Sequence, residues 1–273
     1  MKFKKKANIV LYVVTAILSF VYFLPLYVMV VTSLKTPLEI TQRRYLIPSL
    51  NLRFENFITA WNLVKKSVLN SFIITSIVTI LSVIIGAFGG YFLARIRWKY
   101  NSIIFVLTAI ALFIPYQVVL IPLVQITAIW GIARTYWGMI FAYILLNAPL
   151  ATLLMGTFFF SIPKELEESA MVDGAGLLTT FLKVVTPVSL PSYASTAILI
   201  FTQVWNEFLI ALTFSSPITT PLTVKVAEVK GSYVALYNIQ MAAALIGAII
   251  PLLIFIILGK YFITGLLAGS LKG

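Results

Sequence analysis

Four carboxylates raise the first chemical question. Of eight acidic residues in a 273-residue chain, Glu165, Glu167, Glu168 and Asp173 fall within nine positions, inside the stretch Ile162–Ala175. Long apolar segments lie on either side. In so apolar a chain, an internal loop that concentrates charge presents a face to something in water. A fifth acid, Glu207, stands in an apolar run beside Trp205 and Asn206. Ionisable groups inside a membrane are costly enough to point to function. Trp205, Asn206 and Glu207 together offer an aromatic face and hydrogen-bonding groups, which suit a solute with apolar faces and many hydroxyls. A second reading stands beside that one: Glu207 near the external end of its span, in water or paired with a basic residue of a neighbouring subunit, and Trp205 as an interfacial anchor. Gln117, Asn147 and Gln203 are further candidates for the solute pathway, although a lone mid-membrane amide more often bonds a neighbouring helix.

Composition excludes most other chemistry. The chain contains neither cysteine nor histidine, so disulfides, thiol nucleophiles, Cys/His metal sites and imidazole acid–base catalysis are unavailable. No Gly-x4-Gly-Lys-Ser/Thr loop is present to hold a nucleotide. No catalytic residue and no metal ligand is therefore expected. Hydrophobic residues make up 61% and charged residues 10%, and the mean hydropathy is +1.04; soluble domains are nearer half apolar and a quarter charged. The net charge of +12 belongs to helix ends facing lipid phosphates or setting topology, not to nucleic-acid binding.

The elements that must position these residues are membrane spans. The expected fold is all-α, a polytopic membrane protein of six transmembrane helices forming one domain over 1–273. The spans are expected at about 8–34, 67–93, 101–126, 135–161, 190–214 and 239–267, with the acidic loop at about 162–187. Lys2, Lys4, Lys5 and Lys6 place the N-terminus in the cytoplasm, which puts both termini and the acidic loop on that side. The remaining charges support this only weakly, eleven basic residues inside against nine outside, because the first external segment, Lys35 to Lys66, carries six of them. Pro25 predicts a kink in the first span, and Pro115 and Pro122 break the third. Gly86 and Gly90, one helical turn apart, allow a close helix–helix approach. Asn147 and Pro149 lie mid-membrane in the fourth span; Gln203, Trp205, Asn206 and Glu207 lie in the fifth.

Within the loop, Pro163 suits a first helical turn, Lys164 and Glu168 can pair at i,i+4, and Leu166 and Ala170 form an apolar strip. Gly174 permits the left-handed turn that ends a helix. A second helical piece, about 177–185, precedes Pro187 and Pro191. A short helix of this kind fits a partner's groove. The alternative, an interfacial helix in lipid headgroups, is disfavoured by its acidic character.

The segment Glu168-Ser169-Ala170-Met171-Val172-Asp173-Gly174-Ala175, with Phe181 and Thr186-Pro187-Val188-Ser189-Leu190-Pro191, resembles the "EAA" loop of ABC importer permeases. That pattern is Glu-Ala-Ala, three residues, Gly, then an apolar stretch ending in Leu-Pro. Ser169 replaces the first alanine and Thr186 the leucine. The resemblance extends to Ser33-Leu34-Lys35, Asn70-Ser71, Tyr91-Phe92-Leu93-Ala94-Arg95, Pro115 with Ile121-Pro122-Leu123, Trp205-Asn206-Glu207-Phe208 and the tail from Gly265 to Gly273. Together these cover nearly the whole chain and are similar to the smaller permease subunit of the maltose-type class.

The resemblance implies a type I importer fold in a prokaryotic cell membrane. It also implies a second homologous permease, two ABC ATPase subunits that use ATP and Mg, and an extracytoplasmic sugar-binding protein. Carried over, Glu168, Ser169, Ala170, Asp173, Gly174 and Ala175 form a coupling helix seated in an ATPase groove, with Glu168 its charged contact and Gly174 its turn. No cofactor belongs to this chain. The substrate expected is a sugar or oligosaccharide, with a polyol or glycerol-phosphate as alternative. An ion-coupled secondary transporter would need more embedded acids or a repeated architecture, neither of which the sequence carries.

Overall fold

A computed structural model describes residues 2–229 and 236–270, with side chains for 11–229 and 236–261. Every regular element among these residues is helical. In chain order they are α1 (Lys2–Ser33), α2 (Pro37–Thr41), α3 (Glu55–Arg95), α4 (Asn101–Ala111), α5 (Tyr116–Ile129), α6 (Tyr136–Ser161) and α7 (Glu165–Val172). Then come α8 (Leu177–Thr180), α9 (Thr186–Val188), α10 (Leu190–Asn206), α11 (Leu209–Phe214), α12 (Leu222–Glu228) and α13 (Tyr237–Ser270). The helices containing Leu11–Ser33, Glu55–Arg95, Tyr136–Ser161 and Tyr237–Tyr261 are long and apolar enough to cross a membrane. Two bent pairs raise the number to six if each is one span: α4 with α5, bent by 98°, and Leu177–Val188 with α10, bent by 76°. The chain is a multi-pass membrane protein.

Several boundaries differ from those expected. The second span was expected from residue 67, but α3 begins at Glu55 and takes in the end of the anticipated external segment. The third span is broken outright: α4 stops at Ala111 and α5 restarts after Pro115. A proline cannot donate to the helical ladder and also disfavours helix in the residue before it. By contrast α5 continues through Pro122, α6 through Pro149 and α1 through Pro25. The fifth span is interrupted near its end, since α10 stops at Asn206 and α11 covers only Leu209–Phe214. The tail beyond residue 270 and part of the 215–238 segment lie outside the described residues, as do the side chains of Lys2, Lys4, Lys5 and Lys6.

The chain divides into two compact units, Met1–Lys66 with Lys225–Ile249, and Ser67–Val224 with Ile250–Gly273. The first is organised around Lys35, which is fully buried. Its Nζ donates to the Ile47 carbonyl, and its own carbonyl accepts from Asn56 and Asn238 at 2.9 and 3.3 Å. Thr36 and Glu39 form a reciprocal capping box at the start of α2, satisfying backbone donors that a helix end leaves orphaned.

In the second unit, α6 packs against α10, α4 and α11. The small residues of α3 set its distance from α6. A Cβ added to Gly86 would lie 2.5 Å from the Cβ of Ala151, and one added to Gly90 would lie 2.5 Å from the backbone nitrogen of Gly156. The expected close approach is thus a backbone contact between α3 and α6. Asn70 and Ser71, on the same helix, pin the segment after α11: Asn70 donates to the carbonyls of Ile218 and Thr220, and Ser71 accepts from the Leu222 N–H at 2.8 Å.

Candidate functional site

Two carboxylates of the second unit have elaborate surroundings. The first is Glu167, in the opening turn of α7, where negative charge is favoured by the unpaired N–H groups of the helix start. Its side chain points back into the bundle and is buried. Arg95, the last residue of α3, donates from Nε to Glu167 Oε1 at 2.5 Å and from Nη2 to the Ile162 carbonyl at 2.7 Å. Tyr91, one turn earlier, donates its hydroxyl to Glu167 Oε2 at 2.8 Å. Behind this cluster Tyr91, Phe159 and Phe181 pack ring on ring, with centroids 4.6–6.1 Å apart. Ala87, Met155 and Val185 complete the core there. Three separate stretches of chain, the ends of α3 and α6 and the start of α7, are therefore fastened to one another.

The opposite face of α7 is bare. Leu166, Glu168, Ser169, Met171, Val172 and Asp173 are all exposed, Val172 at 87%. Ala170 and Ala175 are partly covered. Lys164 and Glu168 do not form the ion pair their spacing allows; Lys164 serves as the N-cap residue. Pro163 stands before the cap and not in the first turn. The far end closes as expected at Gly174, with φ +88. The Gly174 N–H bonds the Met171 carbonyl and the Ala175 N–H bonds the Ala170 carbonyl, both at 3.0 Å, which is a Schellman closure. After α8 the backbone widens into one π turn, Phe181–Val185. Pro187, lacking an N–H, could not have completed a regular ladder at this point.

The second carboxylate is Glu207. It was expected inside the fifth span, but it lies in the break between α10 and α11, and the break explains its bonding. A restarting helix has unpaired N–H groups, and Glu207 takes up those of Leu209, Ile210 and Ala211 at 2.8–3.1 Å. The hydroxyls of Tyr143 and Tyr116 donate to it at 2.8 and 3.3 Å. On its open side lies a cavity of about 140 Å³, which Tyr116, Tyr143, Asn147 and Gln203 also line. Asn147 is buried; its Nδ2 donates to the Tyr143 carbonyl and its Oδ1 has no partner among the described residues.

The other residues grouped with Glu207 from the sequence do not line this cavity, although Trp205 borders a smaller hollow with Glu207 and Tyr143. Trp205 is 4% exposed and stacked on Phe201 at 5.7 Å, so it presents no aromatic face to this cavity. Asn206 is exposed and donates to the Thr202 carbonyl. Gln117 lines a different hollow, with Gln125 and Thr213. Local sequence placed the three neighbours together, but a helix turns each by about 100°. Tyr116 and Tyr143, which sequence reading missed, carried no local signal, because each needs a helix break far along the chain to bring Glu207 to it. Tyr91 and Arg95 left one trace: they are four apart, on one face, at the end of an apolar run.

Residues 82–268 match the family described as binding-protein-dependent transport system inner membrane component. The glucose import system permease protein GlcU of Saccharolobus solfataricus is 35% identical, over 96% of this chain and 95% of its own. The melibiose/raffinose/stachyose import permease protein MelC of Bacillus subtilis is 33% identical, over 99% of each. A bacterial ABC transporter involved in the import of the acidic polysaccharide alginate contains a chain that superimposes with a TM-score of 0.81 at 20% identity, covering 96% of this chain and 98% of that one. With the helical fold, the fastened loop and these matches in hand, the chain belongs to the binding-protein-dependent transport system inner membrane components, the permeases of ABC importers.

Proposed function

We propose that this permease forms half of the translocation pathway for a sugar or oligosaccharide and is driven by separate ABC ATPase subunits. The observation that carries the reading is α7: one face bolted to the transmembrane bundle through Glu167, the other bare and polar-apolar mixed. A helix held in this way transmits a push from a partner without rotating out of register. Glu168, Ser169, Ala170, Asp173, Gly174 and Ala175 are the proposed ATPase-coupling residues. Two ATPase subunits supply the hydrolysis, using ATP and Mg, and this chain contributes no catalytic group. A second homologous permease completes the pore, an extracytoplasmic binding protein delivers the solute, and both termini and α7 face the cytoplasm of a prokaryotic cell. Alternating access follows when closure of the ATPases favours one of two arrangements of the spans.

The substrate class is supported by the names of the relatives above and by the cavity at Glu207. Its lining carries one carboxylate, two phenols, two amides and no lysine or arginine. That set suits a neutral polyhydroxylated solute and disfavours an anionic glycerol-phosphate. Gln203, Asn147 and Glu207 are the proposed pathway residues, joined by Tyr116 and Tyr143.

The test is ATP hydrolysis by the assembled complex in lipid, with its binding protein and a panel of sugars, beside a complex carrying Glu168→Arg and Gly174→Pro. Stimulation by one sugar class, lost in the variant, is expected. Stimulation by a polyol or glycerol-phosphate alone would refute the substrate and leave the coupling intact. Failure of ATPase subunits to co-purify with the wild-type chain would refute the coupling itself.

A further inference from the structure

We propose that the hollow at the end of α3, beside the coupling helix, binds the phosphate headgroup of an anionic membrane lipid. The hollow measures about 420 Å³ and is lined by Arg95, Arg97, Lys99 and Lys164 together with Trp98 and Asn101. No carboxylate lines it. Arg95 is already committed to Glu167. Arg97, Lys99 and Lys164 are exposed, and among the described residues no acid lies within ion-pair distance of any of them. Three cations around one space repel one another unless an anion joins them, and a phosphate with several acceptor oxygens can serve all three.

The surroundings identify the source of the phosphate. Trp98 is half exposed and packs edge-on against Phe92 and Tyr100, at 6.2 and 5.0 Å between centroids. Lys99 Nζ sits 4.7 Å from the centre of the Tyr100 ring. Amphipathic aromatics beside basic residues mark the boundary between headgroups and acyl chains. On the apolar side of that boundary Phe88 and Phe92 of α3 and Ile103, Val106 and Leu107 of α4 are exposed, a surface along which acyl chains can lie. A soluble phosphate would need only the cations; a lipid uses both features. Basic pockets between helices at the cytoplasmic face of a membrane bind anionic headgroups.

The position gives such a site a consequence. Lys164 is the N-cap residue of α7 and Arg95 is its anchor, so a bound headgroup touches both attachments of the coupling helix.

The full-length chain, purified in neutral detergent, is incubated with phosphatidylglycerol or with phosphatidylcholine of the same acyl chains, and the retained lipid is counted by native mass spectrometry. A third arm adds millimolar inorganic phosphate. The expected result is one tightly retained phosphatidylglycerol, preferred over phosphatidylcholine by about tenfold or more, since each cation near a headgroup contributes about 1 kcal/mol. Inorganic phosphate leaves it bound. Arg97→Gln/Lys99→Gln/Lys164→Gln reduces the preference to near parity, and Arg134→Gln, a cation elsewhere, does not change it. Single Lys99→Gln and Lys164→Gln variants give partial losses should the triple variant fail to fold. Equal retention of both lipids by the wild type overturns the proposal, and is the outcome expected if the true occupant is an acidic protein surface. Displacement by millimolar phosphate also overturns it, in favour of a soluble anion. Persistence of the preference in the triple variant places the lipid elsewhere.

Discussion

Glu167 and Glu207 are held in similar ways and differ in what they leave open. Each accepts a tyrosine hydroxyl at 2.8 Å, from Tyr91 and Tyr143 respectively. Glu167 is balanced by a guanidinium and buried against an aromatic cluster. Glu207 is balanced by the backbone N–H groups of α11 and retains an edge on a cavity. A carboxylate paired with a buried cation is held as a fixed point. One bonded to a helix start beside a cavity can exchange a tyrosine donor for a hydroxyl that arrives, its own acceptor sites being already engaged. The same residue type is therefore an anchor in one place and a candidate contact in the other.

The largest effect expected from this contrast is at the anchor. Arg95→Met leaves the Glu167 carboxylate buried without its cation, a change that costs about 3–5 kcal/mol. The purified chain should show a strongly lowered melting temperature, and ATPase subunits should be lost on purification. Arg95→Met/Glu167→Met should recover much of that loss, because apolar replacement of a complete buried pair is often neutral. A single Arg95→Met variant as stable as the wild type would mean that the aromatic packing, not the ion pair, holds α7 in place.

At Glu207 the two readouts should separate. In Glu207→Gln the amide oxygen can still accept from part of the start of α11, but the NH2 group faces the donors that the second oxygen served, so stability should fall by about 1–3 kcal/mol. Solute-stimulated ATP hydrolysis should fall further, about tenfold or more, if a solute hydroxyl normally bonds the carboxylate, since hydrogen bonds to charged groups are worth about 1.5–3 kcal/mol. Proportionate loss in both measurements would make Glu207 a second anchor and end the contrast.

These differences were only partly legible in the sequence. The fourth span and the turn at Gly174 could be read because each is set by residues within a few positions. Adjacent acids could not be ranked in that way. Glu167 is buried and Glu168 exposed because Arg95, 72 residues earlier, sits on one side of α7. The sequence names the more conspicuous member of the pair, in the Glu-Ser-Ala-x3-Gly motif, and does not show which one faces the bundle. The break at Glu207 was hidden for a related reason. No proline or glycine marks Trp205-Asn206-Glu207-Phe208; the helix stops where a side chain can bond the next helix start, a tertiary arrangement without local punctuation. At the third span the reverse held: Pro115 marked the interruption, but a 98° bend depends on how α5 packs.

A third carboxylate sharpens the comparison by removing burial from it. Glu39, in the first unit outside the membrane spans, accepts three hydrogen bonds against the two of Glu167. It accepts from the Thr36 N–H and hydroxyl at 2.9 Å and from the Ser49 hydroxyl at 3.0 Å. Its pKa is lowered below the ordinary carboxylate value, chiefly by the Thr36 backbone N–H, with desolvation opposing and Ser49, the Thr36 hydroxyl and the Lys35 charge assisting. A depressed folded-state pKa stabilises the fold at pH values above the unfolded pKa, and the contribution disappears as pH falls through the folded value. The melting-temperature difference between wild type and Glu39→Gln should therefore be small and constant near neutrality, shrinking from about pH 5 downward. Because water screens this group, the difference should be the smallest of the three. A difference that does not change with pH would assign the role of Glu39 to the shape of its capping box and not to its charge. Hydrogen bonds alone would then account for Glu39, leaving burial as what separates it from Glu167.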